Sequence, residues 1–194
     1  LDFSVLENLI QSFPEQLTGV TELGNSLTLD ETVISYSGRD MAQLAIDMFY
    51  PGKPYNWGCV LHAGMVSTDF CKLPLMVYWI LRSPENKLAP TTAASNILLK
   101  VRSLMASTMH AFLDSGFAAS QLLKSMESRD ILCSISVGDA TSSGFLDIVT
   151  FEKQQLPLFK SRTFVKKELL FQLRQTEDHV TSVITNAYRL VGND

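Results

Sequence analysis

The sequence predicts an all-α protein: two packed helical bundles joined by a linker. Three observations carry that prediction. Apolar residues recur at spacings of three and four along much of the chain. One stretch, RSPENKLAP at 82–90, interrupts the pattern with two prolines and three charges. The last segment, 161–191, steps its apolar residues by seven. The composition, 46% apolar and 19% charged over 194 residues, is that of a globular chain. The implied division is an N-terminal helical domain at 1–82, a linker at 83–90 and a second helical domain at 91–194 that ends in a long helix.

The elements follow in chain order. Leu6, Leu9, Ile10, Phe13 and Leu17 form a helical stripe, with Ser4 and Glu7 at capping-box spacing. Pro14 falls within the stripe, so the helix is expected to end near Phe13. The polar stretch 18–30 reads as a loop with a short helix. Met41, Leu44, Ala45, Met48 and Phe49 line a second helix that Pro51 stops, and Gly52 and Pro54 turn the chain. Residues 57–70 and 75–81 read as two further helices, the latter apolar on nearly every side and hence buried. After the linker, Ile97, Val101, Leu104, Met105, Thr108 and Phe112 make one continuous stripe up to Asp114, and Gly116 ends it. Phe117, Leu122, Leu123 and Met126 suggest another helix. Residues 131–151 read either as a short β-hairpin, from the alternation of Ile131, Cys133, Ile135 and Val137, or as a loop plus a helix. Leu169, Thr176, Val183 and Leu190, interleaved with Leu173, Val180 and Ala187, give the final helix its heptad stripe.

Composition and motifs bound the function. The longest apolar run, 73–81, is about half a membrane span, and no signal-peptide pattern is visible in the opening residues. Cys59, Cys71 and Cys133 are an odd, widely spaced set, which points to a reducing compartment. Cys59 and His62 make a close pair, but zinc wants a second pair. Cys71 stands alone, with His110 or Cys133 distant in sequence, so no metal or other cofactor is expected. No Gly-x-Ser-x-Gly elbow occurs, and GDATSSG at 138–144 lacks the lysine of a phosphate-binding loop. The chain is read as no enzyme. A pocket around Tyr55, Trp57 and Trp79 is the minority reading, that of a small helical enzyme or ligand binder.

Charge is uneven. Residues 1–50 hold eight acids against Arg39, and the rest of the chain holds fifteen bases against twelve acids, within a net charge of −4. An acidic head and a mildly basic body attract copies of one another. Asp2, Glu7, Glu15 and Glu22 are therefore the self-association candidates. Lys160, Arg162, Lys166 and Lys167, with Lys100 and Arg102, are the candidates for binding anionic lipid or nucleic acid.

The stretch YSGRDMAQLAIDMFYPGKPYNW, at 36–57, resembles a segment of orthomyxovirus matrix proteins. The shared features are Ser37, Gly38, Met41, Met48, Tyr50, Pro51, Lys53, Pro54 and Trp57. The opening VLENLIQSFPEQL is similar to that family's first helix. The resemblance implies a non-enzymatic viral structural protein of all-helical fold. Such a protein self-assembles into a shell beneath the envelope and bridges anionic lipid of the inner leaflet to viral ribonucleoprotein or RNA. It would be found in the virion, in host cytoplasm and nucleus, and on the inner face of the plasma membrane. The runner-up is a helical adaptor or nucleocapsid-associated protein that oligomerises through its last helix.

Overall fold

The computed structural model describes residues 3–19, 21–35, 58–68, 75–81, 88–105, 108–138, 145, 157–166, 169–175 and 180–187. Among these the chain forms eight β-strands, three α-helices and one short 3-10 turn. The all-α expectation is overturned. The chain divides into two units, 1–106 and 107–194.

The first unit opens with α1 (Phe3–Thr18), which runs through Pro14 instead of ending before it. Strands β1 (Leu23–Ser35), β2 (Gly58–Thr68) and β3 (Leu75–Leu81) follow, antiparallel in the order β3-β2-β1. β1 replaces the expected loop because its residues alternate: Leu27 and Leu29 are buried, whereas Thr28, Asp30 and Thr32 face solvent. β2 was read as a helix because Val60, Leu61, Ala63 and Val66 are all buried, which leaves no period-two signal. β3 owes its extended form to Val77, Tyr78, Trp79 and Ile80, all β-branched or aromatic.

Pro90 stands at the start of α2 (Pro90–Leu104), where its missing N–H costs nothing. Ala93, Ala94, Ile97, Leu98 and Val101 form the buried face of α2. Gly64 permits close packing here, since a Cβ at that position would lie 2.8 Å from Ile97 Cγ2. α1 meets β3 through Phe13 and Trp79, ring centroids 5.7 Å apart.

In the second unit, β4 (Met109–Leu113) is followed by the 3-10 turn Ser115–Phe117, α3 (Ser120–Glu127) and β5 (Ile131–Val137). This is a crossover between parallel neighbours. The helix expected to continue from Ile97 to Asp114 thus stops at Leu104, and its last stretch is β4. β6 (Ser161–Lys166), β7 (Leu169–Gln175) and β8 (Val180–Thr185) complete the sheet, ordered β4-β5-β8-β7-β6. The last three pairings are antiparallel. The long C-terminal helix is therefore absent from the described residues between 161 and 187. Leu169 and Leu173 are spaced by four, a step that suits one helix face and one strand face alike. The intervening residues decide: Phe171 is buried, whereas Gln172 and Arg174 are exposed.

β5 is a strand, but its neighbours are β4 and β8, and it does not pair in the hairpin expected within 131–151. Of that hairpin's second arm only Phe145 is described, and it is buried. The helix expected at 41–49 and most of the linker, 83–87, lie outside the described residues. One buried side chain ties this unit together. Asn186 Oδ1 accepts the Cys133 backbone N–H at 2.5 Å, and its Nδ2 donates to the carbonyls of Ile131 at 3.2 Å and Leu123 at 3.5 Å. Among the described residues no helix is long and apolar enough to cross a membrane.

Candidate nucleic-acid interface

The segment 157–175 carries five bases, Lys160, Arg162, Lys166, Lys167 and Arg174, against one acid, Glu168. Lys167 and Glu168 lie outside the described residues. The rest is a β-hairpin entered through a tight turn. The Lys160 N–H donates to the Pro157 carbonyl at 3.0 Å, which closes the turn. The Phe159 N–H donates to the Gln175 carbonyl at 3.0 Å, and the Gln175 N–H to the Lys160 carbonyl at 3.1 Å, which anchors the turn to β7. Phe159 adopts φ 59°, the left-handed region. For a bulky aromatic this conformation costs about 1–2 kcal/mol. The ring recovers little of that by burial, because Phe159 is 56% exposed and Leu158 beside it 54%.

The strands behind the turn are held in register by Ser161 opposite Arg174, Arg162 opposite Leu173 and Phe164 opposite Phe171. The two phenylalanine rings stack 4.9 Å apart and nearly parallel. Residues directly opposite share a face, so Arg162 falls on the side of Leu173 and Phe171, and Arg174 falls on the other. Lys160, Arg162 and Arg174 are all exposed. Lys160 lies in the turn beside Phe159, and Arg162 and Arg174 stand on the strands behind it, on opposite faces of the hairpin. β6 is the last strand of its sheet, and charge along such an edge also deters pairing with another chain.

The other charged candidates are placed differently. Lys100 on α2 forms an ion pair with Glu15 on α1, Nζ to Oε1 3.1 Å. Arg102 Nη1 donates to the Met105 carbonyl at 3.0 Å, closing the end of α2, and its Nε is buried. Glu22 is exposed just before β1. Glu7 lies within α1, with its side chain outside the described set, as is all of Asp2. The backbone of Lys166 belongs to β6. The structure therefore brings together Lys160 with Arg162, and Lys100 with Glu15. Sequence reasoning missed Phe159 and Arg174. The signal for both was the proline turn followed by the alternation of Leu169, Phe171 and Leu173.

A second polar group lies on the same unit's sheet. His110 Nε2 is 2.9 Å from Ser134 Oγ, which donates to Thr185 Oγ1 at 2.9 Å, which in turn donates to the Cys133 carbonyl at 2.8 Å. Each hydroxyl has one proton. Ser134 and Thr185 both spend theirs further along the chain, so His110 must be the Nε2–H donor. Ser134 is thereby committed as a donor elsewhere and is no nucleophile activated by this imidazole. Burial lowers the His110 pKa from 6.5. At the carboxyl end of β4, exposed Asp114 accepts from Ser136 Oγ at 3.4 Å.

Of the residues weighed as metal ligands, Cys71 and the side chain of Cys59 lie outside the described residues. His62 is buried in β2 of the first unit, and His110 and Cys133 belong to the second. Burial pushes the Cys133 thiol up to about 12, far from the thiolate a metal needs. Among the described residues no three metal-ligating side chains cluster. Of the aromatic pocket, Trp79 packs on Phe13, while Tyr55 and Trp57 lie outside the described residues.

Comparison with known proteins gives the fold a relative. A structure of piggyBac transposase in a synaptic complex with hairpin DNA superposes with a TM-score of 0.72, covering 99% of this chain and 39% of that one at 14% identity. The fold is similar to that of piggyBac transposase. No family model matches the chain. Two curated relatives, both called Suppressor of smlA from Dictyostelium discoideum, are 24% identical over 198 residues. The match takes in 96% of this chain and 34% of theirs, so the chain spans about a third of their length. These findings overturn the viral matrix function that the resemblance implied. The shell-forming reading needed an all-helical protein, and this one is built on strands in a fold shared with a transposase.

Proposed function

We propose that this chain is a DNA-binding domain that holds duplex phosphates with Lys160, Arg162 and Arg174 of the β6–β7 hairpin. The observation that carries the reading is the similarity, across nearly the whole chain, to a transposase captured in a complex with DNA. The hairpin adds a mechanism. Guanidinium groups offer planar forks that match phosphate oxygens, and lysine adds a point charge. Contacts of this kind position a protein on the duplex without reading its sequence. In this reading the exposed Lys160 and Arg162, two of the residues expected to bind lipid or nucleic acid, act together with Arg174.

Fluorescence anisotropy with a labelled duplex tests the reading. The wild-type chain should bind at low salt, and Lys160→Glu with Arg162→Glu and Arg174→Glu should abolish binding while the far-UV spectrum is kept. Equal binding by the triple variant would sink it.

One observation favours a second reading, cleavage of the bound strand. Asp114 stands exposed at the carboxyl end of β4, the end where ligands gather in sheets with parallel strands. The expected absence of catalysis goes with the first reading and is denied by the second. Plasmid DNA cut by the wild type with Mg2+ or Mn2+ but not by Asp114→Asn supports the second. DNA left intact by the wild type removes it.

A further inference from the structure

The Pro157–Lys160 turn has a feature that phosphate binding leaves unused: an aromatic ring held out from the surface at a backbone angle its residue type disfavours. Phe159 has φ 59° and is 56% exposed. Three backbone hydrogen bonds, from Lys160 to Pro157, from Phe159 to Gln175 and from Gln175 to Lys160, fix the turn on β7. The ring therefore sits on a rigid mount. Lys160 follows it in the turn, and Arg162 and Arg174 stand on opposite faces of the strands behind, all three exposed. A strained backbone carrying an unburied aromatic side chain among cations makes sense when the ring meets a flat, neutral surface attached to negative charge. A nucleobase on its phosphate backbone is that ligand. In a fully paired duplex the base faces are already stacked, so the ring has a base face to meet only where one is unpaired.

Resting on the DNA-binding reading above, we infer that Phe159 stacks on an unpaired base of DNA while Lys160, Arg162 and Arg174 hold the flanking phosphates. The ligand class is DNA with an unpaired or extruded nucleotide. Selectivity over uninterrupted duplex comes from the ring, and general affinity comes from the cations.

The test uses three labelled DNAs: a paired duplex, the same duplex with one bulged 2-aminopurine, and a single strand containing 2-aminopurine. Wild type should bind the bulged duplex about tenfold more tightly than the paired one, within the range of aromatic–base stacking, and should quench the 2-aminopurine emission. Phe159→Gly suits the left-handed backbone, so it should melt no lower than wild type. It should keep paired-duplex affinity within about twofold and lose both the preference and the quenching. Phe159→Trp should retain both. Preference and quenching that survive in Phe159→Gly would overturn the inference, as would a wild type that binds paired and bulged DNA equally, an outcome that leaves the DNA-binding reading standing. Binding to bulged and single-stranded DNA with none to paired duplex removes the duplex reading and keeps this one. No binding to any of the three removes both.

Discussion

Lys100 on α2 reaches Glu15 on α1 with Nζ 3.1 Å from Oε1, so a candidate lipid-binding base and a candidate self-association acid are each other's partner within one chain. The pair is open to water, with side-chain exposures of 32% and 68%. Such pairs are worth roughly 0.2–1 kcal/mol. A double-mutant cycle with Lys100→Ala and Glu15→Ala should give a coupling in that range at low ionic strength, fading in molar salt. A coupling above about 2 kcal/mol would mean a partner or burial that this geometry does not contain.

Gly64→Ala should destabilise the first unit by about 1–3 kcal/mol. The added Cβ would lie 2.8 Å from Ile97 Cγ2 and 3.3 Å from Leu27 Cδ1. Ile97→Ala made in addition should recover less than it would cost alone, because it relieves the overlap while deleting buried surface. Denaturant midpoints of the four chains measure the coupling.

Two buried polar groups in the second unit predict opposite outcomes. Asn186→Ala leaves the Cys133 N–H and the Ile131 carbonyl without their side-chain partners and should cost roughly 2–4 kcal/mol. Among the described residues Ser182 Oγ is buried without a hydrogen-bond partner. Ser182→Ala should therefore be neutral or stabilising by up to about 1 kcal/mol. Thermal melts of both variants check this, and a large loss in Ser182→Ala would reveal a partner for that hydroxyl.

The charge of His110 gives stability a pH dependence of known sign. Burial holds its folded pKa below the unfolded value of 6.5. Below that value the unfolded chain takes up a proton more readily than the folded one, so the contribution is fully present above pH 6.5 and is lost as pH falls toward the folded pKa. His110→Asn should flatten the stability profile across that acidic window. The imidazole's own titration, followed by NMR, should fall below 6.5, and a value above it would contradict the burial argument.

How much of this was legible in the sequence depends on what the neighbouring residues add. α1 and α2 carry stripes that no strand reading satisfies, and both were visible, although Pro14 misled the end of α1. β5 was open between a hairpin arm and a loop with a helix, although Ile131, Cys133, Ile135 and Val137 alternate in the sequence and the structure repeats that alternation as burial. β2 is buried without a break from Val60 to Gly64 and β3 is buried or half-buried from Val77 to Ile80, and a continuous apolar run does not distinguish helix from strand. The C-terminal strands were hidden by the shared spacing of Leu169 and Leu173, together with the two steps of seven that separate Leu169 from Val183 in the sequence. That residue is 39% exposed while its neighbour Ile184 is fully buried, which no heptad seam would allow. Of the site, the Lys160–Arg162 pair could be read directly. Arg174 joins them only through strand pairing, and the exposure of Phe159 depends on a backbone angle that a sequence does not print.

The salt dependence of DNA binding tests the central claim most directly. Each phosphate neutralised by a cation releases counterions, and the slope of log Kobs against log salt steepens by about 0.9 per contact. Titrations of a labelled duplex from about 50 to 200 mM salt, a window in which such slopes are resolved, should give a slope that is shallower by about 2.7 when Lys160, Arg162 and Arg174 are all replaced by Ala. A wild type with no affinity for duplex at the lowest salt, or a triple variant whose slope equals that of wild type, would contradict the account.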